Sequence, residues 1–441
     1  MVRDSGADGG PTRRDCVKYG GTLVGGGLLA GCLDGEADGS PEGDDTGSTS
    51  TRAETGSPTA SGTSASEPDR SETATATGGH SAEMAPVGTV EFESVPESFV
   101  GGWGFEADVM TALGESDKLV AAEGNQFWYT GFYDQLPGVS VPEPDSVELV
   151  RTDDWSLREE FLYELDPDLL ATDPNRYVSY YGVGEEEIAE LHDSVAPFFG
   201  NSSRRKRGDG WPTWPGGESY AYYSVPEFLS RYGDVFRKSA QATAFNEFYR
   251  TALSAMRSKV PPRDDRPEVA LLNAQINPET QGFFRAYNPR TALDQTYGKK
   301  QYRDLGVVDA FAGQYGGQPG IKVDYEALLD VDPDAIVFHF GLNYRDWNGE
   351  NALRKRVEGM RDSSLGTQLS AVQDDELYVG GSAYQGPIIN LFQTEMLGKQ
   401  LYPEAFGEWP GAVTDADLPE IPPGERLIDR ERMAAIVSGA F

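Results

Sequence analysis
Cysteine is almost missing from this 441-residue chain: there are two, Cys16 and Cys32. Histidine is nearly as scarce, with His80, His192 and His339. A hydrolase built on a histidine-ligated metal needs a cluster of them, and so does a receptor for bare zinc or manganese; three scattered histidines fit neither. No G-x-S-x-G nucleophile elbow occurs, and no phosphate-cradling P-loop. Basic residues are outnumbered, 37 Lys and Arg against 72 Asp and Glu, for a net charge of −35. That excludes a nucleic-acid binder, which needs a basic face. No long apolar run follows residue 31, so no membrane span is expected in the rest of the chain.

What is present begins at the N-terminus. Arg13 and Arg14 precede an apolar, glycine-rich stretch from Tyr19 to Gly31. It is too short for a membrane helix and fits the apolar core of an export signal, the arginine pair fitting the twin-arginine kind. The stretch ends Leu29-Ala30-Gly31-Cys32, small residues and then cysteine, which resembles a lipobox. Cleavage there makes Cys32 a lipidated N-terminus, tethered to the outer face of the cell membrane and otherwise clear of it. Cys16 leaves with the signal, so the mature chain is expected to hold no disulfide and no cysteine-based metal site. Residues 33–88 read as a tether: 39 of the 56 are Ser, Thr, Gly, Ala or Pro and none is aromatic. Such a segment buries too little apolar surface to offset its ordering entropy.

The acids are dispersed along the whole chain and not gathered in one patch. Self-repulsion on this scale is screened at high salt, and the pattern resembles haloarchaeal proteins.

A phrase occurs twice. Residues 160–172 read E-F-L-Y-E-L-D-P-D-L-L-A-T and residues 326–338 read E-A-L-L-D-V-D-P-D-A-I-V-F. Each is an apolar helix pattern, a proline stop and a short strand. Strands alternate with helices elsewhere: strands near Phe99, Asp117–Ala122, Leu169–Thr172, Glu268–Asn273, Ala335–Phe340 and residues 376–380, with helices over 106–113 and 388–401 and a helix with a short strand over 185–199. Residues 225–259 give the strongest helix pattern, with Phe245, Tyr249, Ala252, Leu253 and Met256 at three- and four-residue steps. The expected fold is α/β: two Rossmann-like lobes with parallel-type sheets, joined by one long helix, with a ligand cleft between them. The expected divisions are a signal over 1–32, a tether over 33–88, a first lobe over 89–224, the joining helix over 225–260, a second lobe over 261–410 and a tail over 411–441.

This order resembles the substrate-binding proteins of ABC importers for ferric siderophores, haem and cobalamin, over about residues 93–407. The family's opening helix is matched by Ala107 to Gly114, its E-x-I-x-x-L-x-P-D-L-V phrase by Glu160 to Leu170, the second-lobe counterpart by Glu326 to Val337, and its ending by Leu401-Tyr402-Pro403. The resemblance implies a binding protein and not an enzyme, with a rigid linker, no cofactor, and a ferric siderophore as ligand. Cobalamin or haem is the alternative within the family; a surface-anchored hydrolase is the alternative outside it. It also implies a monomer that hands its ligand to a permease and ATPase, with Glu160 and Glu326 docking on the permease.

The ligand is expected between the lobes, at strand ends. First-lobe candidates are Trp103, Phe105, Trp128, Tyr129, Arg176 and Tyr177. Second-lobe candidates are Arg285, Tyr287, His339, Tyr344, Arg345 and Tyr384. Arginine offers a planar fork to anionic oxygens and aromatics offer flat walls. His339 closes an apolar strand and reads as a core histidine ahead of a haem ligand. The basic island Arg204-Arg205-Lys206-Arg207 reads as a solvated loop or an anion contact, and Asn201-Ser202-Ser203 as a glycosylation sequon. Trp211, Trp214, Tyr220, Tyr222 and Tyr223 read as a rim loop or as packing for the joining helix.

Overall fold
A computed structural model of the chain describes residues 79–441, apart from 126, 209, 217–219, 291–292, 344–351 and 416. Arg13, Arg14, Cys32 and the tether up to residue 78 lie outside the described residues, as do Tyr344 and Arg345. The first element is a hairpin of β1 (His80–Met84) and β2 (Gly88–Phe92), antiparallel with Met84 opposite Gly88. The tether therefore ends earlier than residue 88. The strand was hidden because only Ala82 and Met84 of β1 are buried, the minimum for one covered face.

The first lobe holds β3 (Phe99–Gly101), helix α1 (Gly104–Ala112), β4 (Leu119–Ala122), β5 (Glu148–Leu149), α2 (Glu159–Leu165), β6 (Leu170–Ala171) and α3 (Glu185–Ser194). Its strands form one parallel sheet in the order β5-β4-β3-β6. The connection between lobes is α4 (Val225–Val235) followed by α5 (Ser239–Arg257). One continuous helix was expected. The chain instead turns at Arg237, whose φ is 52°, and Gly233 lets the two helices meet: a Cβ there would stand 2.7 Å from that of Ala242.

The second lobe holds β7 (Glu268–Asn273), β8 (Phe284–Tyr287), α6 (Lys300–Asp304), β9 (Val308–Asp309), β10 (Gly320–Val323), α7 (Tyr325–Val331), β11 (Ala335–His339), α8 (Ala352–Asp362) and β12 (Leu377–Val379). Its sheet runs β10-β8-β7-β11-β12, with β9 also on β7. β9, β7, β11 and β12 are parallel; β8 and β10 are an antiparallel edge. Helix α9 (Pro387–Leu401) is buried along all 15 residues and touches α1, α5 and α6. The expected C-terminal tail carries a packed helix, α10 (Arg430–Val437), against α1 and α5. Its Arg430 pairs with Glu395 of α9 at 3.2 Å, both side chains 1% exposed.

The repeated phrase has a structural meaning in both lobes. α2 and α7 are seven residues each, and each ends on a left-handed aspartate, Asp166 (φ 47°) and Asp332 (φ 36°). Two residues on, an aspartate ties the start of the lobe's first strand. Asp168 accepts from the Glu97 and Ser98 amides at 2.8 and 3.0 Å, and Asp334 accepts from the Glu268 amide at 2.7 Å. Glu160 and Glu326 are exposed in the first turns of α2 and α7. No helix of the described residues is long and apolar enough to cross a membrane.

Candidate functional site
The carboxyl ends of the parallel strands carry the chemistry. β3 runs into Gly102 and Trp103; β4 into Glu123; β5 reaches Arg151; β6 leads to Asp173 and Arg176. From the second lobe, β11 delivers His339 and Phe340, and β12 the segment up to Tyr384. Trp103 of one lobe and Tyr384 of the other stack at 5.2 Å and 18°. Phe127 joins both, at 5.1 Å from Trp103 and 5.0 Å from Tyr384. Phe340 adds to Phe127 at 5.5 Å, and Trp155 lies on Trp103 at 5.9 Å and on Tyr181 at 6.3 Å. The result is a continuous row of rings across the lobes. Three guanidiniums lie over it: Arg151 on Trp155 (4.3 Å), Arg176 on Trp103 (5.4 Å) and Arg204 on Tyr384 (5.1 Å). Flat π faces and cations in alternation suit an anionic ligand with planar groups.

Beneath the row lies a buried charge cluster. Arg176 sits 3.3 Å from Glu106 and 3.2 Å from Glu123. Gly102 permits it, since a Cβ there would come within 2.6 Å of the Arg176 Nη1. Glu106 also accepts from the Trp103 amide at 2.9 Å, and Glu123 accepts from the Tyr181 and Thr172 hydroxyls. Burial pushes the Glu106 carboxyl up to about 7 against the pull of Arg176, and raises Glu123 as well. The two carboxylates hold Arg176 charged, above its ordinary value despite its burial.

A second buried acid fastens the lobes. Asp108 on α1 accepts from the Ile388 and Ile389 amides at 3.1 and 3.0 Å, at the start of α9, and from the Tyr133 hydroxyl at 2.7 Å. An acid at a helix N-terminus is favourable, yet burial outweighs these donors and lifts Asp108 to about 7.

Of the expected contacts, Trp103 and Tyr384 meet in the ring row. Arg176 reaches it only as a neighbour of Trp103, its fork being held by two carboxylates. Phe105 belongs to the core, stacked on Tyr297 at 3.7 Å. Trp128 is buried and donates to Tyr133 at 3.0 Å. Tyr177 is fully buried, edge-on to Phe198 at 5.3 Å. Tyr129 is half-buried against Phe132 at 5.2 Å. His339 is a core histidine, its Nδ1 2.9 Å from the Tyr302 hydroxyl, with Tyr287 edge-on at 5.5 Å. Arg285 is half-buried on β8 opposite Lys322.

Two readings of the polar loop change. Arg204 is 4% exposed, and Arg207 donates twice to the Ser202 carbonyl (3.0 and 2.8 Å) and lies over Trp211 at 4.1 Å. Arg204 and Arg207 are thus built into the lobe, while Lys206 between them is exposed. Asn201 is 1% exposed, and its amide donates to the Ala85 and Ala221 carbonyls at 2.9 and 3.0 Å, leaving no nitrogen open to a glycan. Trp214 packs on Phe198 and His192 in the first lobe's core, and Tyr223 packs on Phe228 of α4, in the connection between the lobes. Phe127, Trp155 and Phe340 were not expected at the site. Phe127 stands one residue before Trp128, whereas Trp155 sits in a polar T-D-D-W-S turn that gave no apolar signal.

Two α/β lobes meeting at their carboxyl strand ends define a ligand-binding protein of the two-lobed class. The family described as "Periplasmic binding protein" matches residues 104–384, and the chain belongs to it. Similar solved structures include a periplasmic binding protein from Veillonella parvula (16% identity, 74% of this chain and 91% of that one, TM-score 0.49). Others are Staphylococcus aureus SirA complexed with staphyloferrin B (16%, 73% and 97%, 0.46) and Bacillus subtilis FeuA complexed with ferri-bacillibactin (17%, 70% and 95%, 0.42). No curated protein matches the chain. Members of this family bind substrates for ABC importers and work outside the cytoplasm. Among the described residues no cluster of His, Cys, Asp and Glu could hold a metal ion.

Proposed function
We propose that this chain is the membrane-anchored receptor of an ABC importer that captures a ferric siderophore between its lobes and delivers it to a permease. The observation that carries the reading is the ring row with Arg151 and Arg204 on it, in a chain whose net charge is −35. Cations retained at one place in so acidic a protein mark the place where an anion is held. The iron arrives inside its chelate, so the protein needs no metal ligands of its own.

The same proposal assigns the termini and the surface. The twin-arginine signal exports the chain, Cys32 carries the lipid, and the tether spaces the lobes from the membrane. Glu160 and Glu326, at equivalent first-turn positions of the two lobes, dock on cationic residues of the permease. The test is uptake of a radioactive iron chelate by cells. Glu160→Arg with Glu326→Arg is expected to abolish uptake while the purified chain still binds the chelate. Normal uptake by the double variant would remove these acids from the interface. Cys32→Ser is expected to shed the protein into the medium; retention on the cell would contradict the lipid anchor.

A further inference from the structure
We propose that Trp155 is the lid of this site: its indole occupies the outer face of Trp103 where a flat, oxygen-bearing ring of the ligand goes, and binding swings it out. The proposal rests on the reading of the inter-lobe cleft as the ligand site, and it narrows the ligand to chelates with aromatic rings.

The row of rings is closed as it stands. Trp103 has Tyr384 at 5.2 Å and Phe127 at 5.1 Å, and Trp155 at 5.9 Å. Offset-stacked rings at these distances leave no layer between them. A ligand ring reaches Trp103 only by replacing a neighbour. Tyr384 and Phe127 are each 5% exposed. The Tyr384 amide is held by the Ser382 hydroxyl at 3.0 Å, and Gly386 just beyond lies against Asp108, where a Cβ would meet the carboxylate at 2.6 Å. These rings are walls.

Trp155 differs from them in three ways. It sits near the tip of a short turn closed by the Thr152 amide donating to the Ser156 carbonyl at 2.9 Å, with Thr152, Asp153, Asp154 and Ser156 all exposed. Its backbone is left-handed, φ 64°, a conformation bulky side chains rarely adopt. Among the described residues seven non-glycines have positive φ, and five are Asp, Arg or Lys; the two aromatics, Trp155 and Phe340, both belong to this row. Strain held by stacking is released when the stack opens. Finally, the indole nitrogens of Trp103 and Trp155 are both buried with no acceptor among the described residues. Two buried donors without acceptors beside a guanidinium favour a ligand ring that brings anionic oxygens. Opening gives the Trp155 nitrogen to water and the Trp103 nitrogen to the ligand. The turn is hinged on a fixed base, since Arg151 donates to the Glu123 carbonyl at 2.8 Å and to the Thr152 carbonyl at 3.1 Å.

The test uses the full chain in molar salt with two probes: the ferric complex of 2,3-dihydroxybenzoate, which has flat oxygen-rich rings, and a ferric trihydroxamate, which has none. Stopped-flow fluorescence of Trp155→Ala is expected to show association with the aromatic chelate faster by about tenfold or more, because the closed fraction no longer taxes binding. Association unchanged from wild type, or preference for the trihydroxamate, would overturn the proposal. A readout on the unsubstituted chain separates the lid from the ligand. With 5-fluorotryptophan incorporated, the Trp155 resonance, assigned through Trp155→Phe, is expected to be exchange-broadened while that of Trp103 is not. A sharp Trp155 resonance, unmoved by either chelate, would overturn the lid. Exchange at Trp155 with neither chelate binding would uphold the lid and overturn the chelate-receptor reading instead.

Discussion

At the residue scale, the buried acids make the folded state sensitive to protons. Glu106 and Asp108 are both lifted to about 7, from ordinary values of 4.5 and 3.8, by burial, and Glu123 is lifted too. Between those ordinary values and neutrality the folded chain therefore binds more protons than the unfolded one. Their contribution is full at acid pH, declines as pH rises through the window from about 4 to about 7, and is level above it. Denaturant midpoints in molar salt are expected to fall across that window, and Asp108→Asn to flatten the slope. A profile that rises with pH, or one that Asp108→Asn leaves unaltered, would contradict the assignment. Arg176 lives by the same cluster. Removing it leaves two buried carboxylates without their cation, so Arg176→Ala is expected to cost about 3–5 kcal/mol in equilibrium unfolding. A loss confined to ligand affinity, with stability intact, would return Arg176 to the role of a direct contact.

At the element scale, the twin phrases act as joints. Asp166 and Asp332 close α2 and α7 in the left-handed region, and Asp168 and Asp334 hold the neighbouring strand starts. Glycine takes the left-handed backbone at no steric cost, whereas a β-branched residue pays about 1–2 kcal/mol. Asp166→Gly is thus expected to be nearly neutral and Asp166→Val destabilising by that amount, in thermal or denaturant unfolding. Equal effects of the two would show that the carboxylate and not the backbone matters there. These joints were legible because the signal is local: a helix period, a proline, an aspartate. The paired strands β7 and β11 were legible for the same reason, as runs of apolar residues between breakers. The β1 strand and the α4–α5 turn were not. One carries two buried side chains, and the other depends on Gly233 meeting Ala242, a contact that no period reveals.

At the scale of the whole molecule, legibility follows distance along the chain. Trp103 and Tyr384 could be proposed singly, as aromatics after strand ends, and the fold brings them together. Arg176 was misjudged because its partner Glu106 stands 70 residues away and looks like any acid in an acidic chain. Phe105, Trp128 and Tyr177 were misjudged because an aromatic beside a strand end serves core and cleft alike, and only the packing decides. Arg204 was undervalued because a basic run reads as solvent-facing until its guanidinium is found over Tyr384. The cleft is thus written in residues from six strand ends, and its chemistry belongs to none of them alone.

A ferric chelate held between the lobes would be reported directly by Trp103. The measurement is a tryptophan-fluorescence titration of the full chain in molar salt against ferric catecholates, ferric hydroxamates, haem and cobalamin, repeated with Trp103→Phe. Saturable quenching by one ferric chelate and not by its iron-free form is expected, with most of the signal lost in the variant. No saturable change with any of them, from a chain shown to be folded, would contradict it.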